Sequence, residues 1–409
     1  MKNIYAQFVF DPAWRCSSMP NPNTWSSVTY IQDKRNAVLE EERFKSELEA
    51  QGLPIHRICC ELNQEFAYPS LPPSSEWPGS YGARDMIATA AGAPEPRWEN
   101  GNWWHERDHY PLSADIKKSD IERLKVTDWK QIPAVSNMIA SCRDWAAGHP
   151  AENPSLISTI GFPCFIPAYG WRMFINYPSF VDIGIYLMGM TEFLTMVAID
   201  PDTADCLMDK CFEFSTSYTD FLLKEQPETF GLLGGFGGDT TCMLSPALYP
   251  RFGLAWDLRL WKHVRQKHGI PDDLPCNLHS CGVSNHLYDS WANHPCRERI
   301  AIMQTRLIPG AVGKLRESLP RTHLELTIHP PQFDLVRASH DEIKEILISS
   351  INEAAGEVTL KLHFVITSEA AIKQAMQAME ACAETLKTTF KGREQTTSPK
   401  ERGIAYSPT

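Results

Sequence analysis

From residue 116 to residue 386, short apolar runs bounded by turn residues alternate with longer stretches that repeat at helical spacing. No other feature constrains the fold as much, because repeated strand–helix–strand units pack as a parallel sheet covered by helices. Strands are predicted at 156–162, 229–235, 276–280, 300–304, 324–328 and 360–366. Helices are predicted at 135–147, 184–198, 201–223, 245–268, 311–319 and 372–386. The 201–223 stretch sets Leu207, Cys211, Phe214, Tyr218 and Phe221 on one face. Ser339 and Glu342 form a Ser-x-x-Glu capping box ahead of Ile343, Ile346, Leu347, Ile351 and Ala354.

Upstream, residues 3–10 read as a strand ended by Asp11-Pro12, followed by a charged helix over 31–51 and a strand over 55–62. Residues 66–115 differ: they are dense in Pro, Gly, Trp and His, with no clean period. So long a segment reads either as a functional cap or as an insertion covering one end of the fold. The chain thus divides into an N-terminal part with a Pro/Trp-rich cap (1–115), a main repeating region (116–390) and a polar tail (391–409). No Gly-rich phosphate loop follows the first strand, which favours a (β/α)8 TIM-type barrel with an irregular N-terminal cap over an open sheet. Gly234-Gly235-Phe236-Gly237-Gly238 runs into Asp-Thr-Thr and reads as a tight loop, not a phosphate cradle.

A formal charge of −11 argues against nucleic-acid or anionic-membrane partners, which select basic faces. No run approaches the ~18 apolar residues of a membrane-spanning helix, and Met1 to Asp11 lacks a signal peptide's basic and apolar blocks. The twelve cysteines are scattered, with no Cys-x-x-Cys pair. They read mostly as buried free thiols of a cytoplasmic protein.

The sharpest local pattern is Asn277-Leu278-His279-Ser280-Cys281-Gly282. On a strand, Asn277, His279 and Cys281 share one face, and an imidazole beside a thiolate is a zinc-binding pair once further ligands arrive. Asp239 follows a predicted strand and so falls where barrel loops line the active face, though an Asp after Gly-Gly also reads as a turn residue or helix cap. His329, after the 324–328 strand, reads as a general base, a replacement ligand or a capping side chain. Tyr169 and Arg172 follow the 156–162 strand and suit an anionic or aromatic group; Arg172 also reads as a surface ion-pair partner. The tryptophans of 66–115 either wall an apolar substrate pocket or simply pack.

In order along the chain, Gly237-Gly238-Asp239, then Met243-Leu244-Ser245-Pro246-Ala247-Leu248-Tyr249, then Leu278-His279-Ser280-Cys281-Gly282 resemble the uroporphyrinogen decarboxylase superfamily, with its corrinoid-linked methyltransferases. Ile121 to Trp129, Thr159 to Pro163 and Leu194 to Pro201 extend the likeness over residues 116–386. Cobalamin-independent methionine synthase is a more distant resemblance. It implies a barrel in which His279 and Cys281 hold Zn²⁺ with a third ligand near the last strand. Here His363-Phe364-Val365-Ile366-Thr367-Ser368-Glu369-Ala370 has no cysteine, leaving Glu369 as the nearest donor. Gln304 stands where the methionine synthases place a Glu ligand. The decarboxylases' Arg-rich opening is replaced by Phe8-Val9-Phe10-Asp11-Pro12-Ala13-Trp14-Arg15, with one arginine, which points away from a tetracarboxylate porphyrinogen.

The resemblance therefore implies methyl transfer between a small methylated substrate or thiol and a corrinoid carried by a partner protein, in a homodimer. Two alternatives stand beside it. One is a decarboxylase or lyase acting on a small carboxylated substrate through Asp239, His329 and Arg172. The other is a non-catalytic barrel that has lost part of its site.

Overall fold

Strands of period 2 alternating with helices of period 3.6 give the expected mixed α/β fold. The computed structural model describes residues 4–11, 58–61, 83–93, 97–99, 102–104, 110–113, 115–125, 128–133, 135–136, 163–166, 170–175, 179–225, 233–269, 275–365 and 371–391. The strands are β1 (Ile4–Asp11), β2 (Ile58–Glu61), β3 (Arg97–Glu99), β4 (Asn102–Trp104), β5 (Pro163–Ile166), β6 (Gly170–Ile175), β7 (Leu233–Gly237), β8 (Cys276–Ser280), β9 (Ile300–Arg306), β10 (His323–Ile328) and β11 (Val358–Val365). The helices are α1 (Ala83–Ala90), α2 (Lys118–Arg123), α3 (Phe180–Met188), α4 (Met190–Ile199), α5 (Pro201–Glu225), α6 (Ala255–His268), α7 (Tyr288–Ala292), α8 (Val312–Ser318), α9 (His340–Ala354) and α10 (Ala371–Lys391).

Nine strands join in the order β2-β1-β11-β10-β9-β8-β7-β6-β5. From β2 to β6 every neighbour is parallel, and β5 lies antiparallel to β6 at one edge. The first strand pairs in register with the last, Ile4 against Val358 through Asp11 against Val365. That pairing is the order a barrel uses, but among the described residues no pairing joins β2 to β5.

The two faces of the sheet differ in chemistry. Alternate residues Leu278, Met303, Leu324, Leu326, Leu360, Leu362 and Phe364 are buried in the hydrophobic core. That core includes Leu260 and Val264 of α6, Leu315 of α8, Ile343 and Leu347 of α9, and Ala375 and Leu386 of α10. By strand alternation the intervening positions, His279, Gln304, Arg306, Glu325, Lys361 and His363, turn to the other face. A parallel sheet packed on both faces reads as continuous apolar runs. A polar second face at the carboxyl ends of the strands is what a site-bearing cavity requires.

Several elements depart from their sequence-based expectation. The predicted helix over 184–198 is two helices, α3 and α4, which turn 115° at Gly189, whose φ is +93°. The predicted strand over 156–162 lies outside the described residues. The neighbouring segment instead forms the β5–β6 hairpin, so Arg172 lies on a strand and not in a loop. The 66–115 segment, expected to be irregular, contains α1 and the antiparallel β3–β4 hairpin. Strand β7 ends at Gly237, two residues later than predicted, which brings Asp239 close behind it. The helix over 31–51 and the tail beyond 391 lie outside the described residues.

No single helix among the described residues is long and apolar enough to cross a membrane; the α3–α4 pair passes on length and composition only, and α3 is largely buried. The cysteines with described side chains are all free; Cys211, Cys276, Cys296 and Cys382 are buried, whereas Cys206, Cys242 and Cys281 are partly accessible.

Candidate metal centre

Strand β8 carries His279 on the polar face, and the chain leaving it carries Cys281 two residues on, as the strand period requires. Opposite, the loop leaving β7 brings in Asp239. Its Oδ1 lies 3.0 Å from His279 Nε2 and 3.2 Å from Cys281 Sγ. One ligand atom from each of Asp239, His279 and Cys281 falls within 4.8 Å of the other two. Strand pairing creates this meeting, since Gly237 of β7 sits in register with His279 of β8.

The Asp239 loop is held by groups distant in sequence. Buried Asp182 of α3 accepts from the backbone amides of Asp239 (3.3 Å) and Thr240 (3.0 Å) and from the Thr240 hydroxyl. Buried Asp257 of α6 accepts from the Gly237 amide at 2.7 Å. Burial pushes the Asp257 carboxyl up to about 7, against the Gly237 hydrogen bond and with some help from the Asp182 charge. Gly237 adopts φ +76°, and a Cβ at Gly238 would collide with Ser179 and Asp182. A Cβ at Gly282 would collide with Cys242 Sγ, which itself lies 3.6 Å from the Asp239 carbonyl oxygen. The glycines around both motifs are thus required for close approach.

Behind His279 runs a row of polar groups across four successive strands. His279 Nδ1 lies 3.3 Å from Gln304 Oε1 on β9. Gln304 Nε2 donates to Glu325 Oε2 on β10 at 2.9 Å, and Lys361 Nζ on β11 pairs with the same oxygen at 3.0 Å. Burial disfavours an imidazolium at His279, but the Asp239 carboxylate and Cys281 more than offset it and raise its pKa to about 10. Burial also raises the Cys281 thiol, partly countered by His279.

The donor set suits zinc. Nitrogen, sulfur and carboxylate oxygen are its ordinary ligands, and bond lengths of about 2.0–2.3 Å at tetrahedral angles put ligand atoms roughly 3.3–3.6 Å apart. The 3.0 and 3.2 Å separations need only a slight expansion to admit the ion. Three protein ligands leave a fourth position open, the pattern of catalytic and not structural zinc.

Of the residues singled out by sequence, Asp239, His279 and Cys281 converge. Asp239, which the sequence offered as a catalytic group, lies in the same cluster, where its carboxylate could hold a metal ion. His329 lies apart, at the end of β10, with its ring 5.1 Å from that of His363. Burial, with His329, Lys361 and Arg306 nearby, pulls His363 down to about 3. Gln304 meets the second nitrogen of His279 and takes no ligand position. Tyr169 and Glu369 lie outside the described residues, and Arg172 is placed only as a backbone position on β6. Sequence reasoning missed Asp182, Asp257, Glu325, Lys361 and Cys242, for none of which a local motif exists.

No protein-family model matches this chain, and no curated protein sequence matches it. Among solved structures, a methyltransferase from Methanosarcina mazei is similar over 74% of this chain and 78% of its own, at 13% sequence identity and a TM-score of 0.46.

Proposed function

We propose that this chain is a zinc-assisted methyltransferase built on a closed (β/α)8 barrel. It would move a methyl group between a small methylated substrate or thiol and a corrinoid protein. The convergence of Asp239, His279 and Cys281 into one zinc-compatible set carries this reading, joined to the motif order along the chain. Asp239, His279 and Cys281 would hold the ion, with Glu369 as a further candidate ligand. Zinc at such a site lowers a thiol's pKa so that it is a thiolate, hence a methyl acceptor, at neutral pH.

The chain's own residues supply the rest. Asp182 and Asp257 fix the loop that presents Asp239, so the carboxylate is already aimed when substrate arrives. Gln304 holds the His279 ring from behind. Arg306, beside the His363 ring and its neighbour His329, would offer a polar margin where a polar substrate group could rest.

A second reading, decarboxylation or another lyase reaction on a small carboxylate, draws on that margin. Arg306 Nε is a buried donor with no hydrogen-bond partner among the described residues, although its Nη1 donates to Gln332 Oε1 at 2.9 Å.

Metal analysis separates the readings. Purified protein is expected to hold about one zinc per chain, falling at least tenfold in His279→Ala, Cys281→Ser and Asp239→Asn variants. Methyl transfer from methylcobalamin to added thiols should fall in parallel. Full activity in metal-free protein would sink the zinc role, and release of carbon dioxide without corrinoid or metal would favour the lyase.

A further inference from the structure

The row behind His279 does more than fill space, because its hydrogen bonds run in one direction only. We propose that Glu325 and Gln304 are positioning residues that dictate which nitrogen of His279 carries hydrogen, leaving Nε2 as the metal-binding atom. This rests on the metal reading above and adds to it the assignment of the bonding atom and the groups that enforce it.

The deduction starts at the far end of the row. Glu325 is 3% exposed and paired with Lys361. Burial opposes its ionisation, but Lys361, His323 and the Gln304 amide outweigh that cost and hold the carboxyl below its ordinary range. An ionised carboxylate only accepts hydrogen bonds. Gln304, 2.9 Å away, must therefore turn its NH₂ group to Glu325. Its other end, Oε1, then faces His279 Nδ1 at 3.3 Å, and an amide oxygen also only accepts. So Nδ1 must be the protonated nitrogen. Nε2, which faces Asp239 and lies with Cys281 in the ligand cluster, is then the nitrogen that can present a lone pair once an ion displaces the hydrogen it donates to Asp239.

A carboxylate placed directly against His279 would enforce the same tautomer, at the cost of a second negative charge next to Asp239 and Cys281. Inserting a neutral amide transmits the direction while keeping the charge one strand away, neutralised by Lys361. A metal-bound imidazole generally owes its tautomer to such an outer partner, whose loss weakens metal binding about 10–100-fold.

The test is a swap of charge and amide. Zinc affinity would be measured against a competing chelator in the full chain, with melting curves confirming that each variant folds. Glu325→Gln makes residue 325 able to donate as well as accept, so Gln304 is free to turn over, and zinc affinity should drop about 10–100-fold. Gln304→Leu, which leaves the Glu325–Lys361 pair in place, should cause a similar drop even if Glu325→Gln folds poorly. The double variant Gln304→Glu with Glu325→Gln restores a one-way row, amide to carboxylate to Nδ1–H, and should recover most of the loss. A Gln304→Leu protein that binds zinc as tightly as the wild type would overturn the proposal, as would a swap no better than Glu325→Gln alone.

A second readout needs no metal. In metal-free Asp239→Asn protein His279 loses the anion that favours its doubly protonated form. Two-bond ¹H–¹⁵N spectra should then show the Nδ1–H tautomer, with the His279 signals identified by their loss in His279→Gln. Adding Glu325→Gln should mix the tautomers; an unchanged mixture in both proteins overturns the proposal. Wild-type protein that binds no zinc, together with the Nδ1–H tautomer in the metal-free Asp239→Asn protein, would defeat the metal reading and leave the positioning row standing.

Discussion

Gly238 has no room for a side chain, since its Cβ would enter the space of Ser179 and of the Asp182 carboxylate that holds the 239–240 amides. Gly238→Ala should therefore displace the Asp239 loop, costing about 1–3 kcal/mol of stability by denaturant titration and a larger share of bound zinc. A protein that keeps both would show that the loop relaxes freely. At this scale the sequence exposes the ligands but not their supports. His279 lies near the end of strand β8 and Cys281 just beyond it, two residues on, so their shared face follows from local geometry. Asp182 and Asp257 are ordinary helix carboxylates in sequence, and the 57 and 20 residues that separate them from their backbone partners carry no pattern. Gln304 looked like a weakened ligand because its hydrogen-bond direction depends on Glu325, 21 residues away.

Among the elements, those with local stop signals were legible. Strand β8 occupies the predicted 276–280, and α9 starts at the predicted capping box. There Ser339 Oγ accepts from the Glu342 amide at 3.3 Å, and the Ser339 amide donates to Glu342 Oε2 at 2.7 Å. Ser339→Ala should cost about 0.5–2 kcal/mol in urea unfolding, and a change below the error of that measurement would mean the cap adds nothing beyond packing. The α3–α4 break was not legible. Met188, Gly189 and Met190 continue an apolar run, and nothing local says that Gly189 takes φ +93° and turns the chain by 115°. The β3–β4 hairpin was missed for the opposite reason. Asn100-Gly101 between its strands is a strong turn signal, obscured by the surrounding Pro and Trp.

For the molecule as a whole, Asp257 couples global stability to pH. It sits on α6, accepts from the Gly237 amide of β7, and has its carboxyl raised from 3.8 to about 7. A raised acid favours the folded state while protonated, so its contribution is complete below about pH 4 and is lost as pH climbs through about 7. Wild-type protein should lose on the order of a few kcal/mol from this group between pH 4 and pH 8. In Asp257→Asn that component should vanish, which thermal unfolding at several pH values would read as a flatter profile. Equal slopes in the two proteins would assign the pH dependence to other groups. The amino-acid order by itself determined the alternation of strands and helices, the capping box and the shared face of His279 and Cys281, because periods of 2 and 3.6 residues are local properties of the backbone. Only the tertiary structure decided that Asp239 meets His279 across 40 residues of chain. It alone decided that Gln304, Glu325 and Lys361 line up behind the histidine, and that the first strand pairs with the last. Those contacts are made by strand register and helix packing, which bring together residues whose separation in sequence carries no chemical signal.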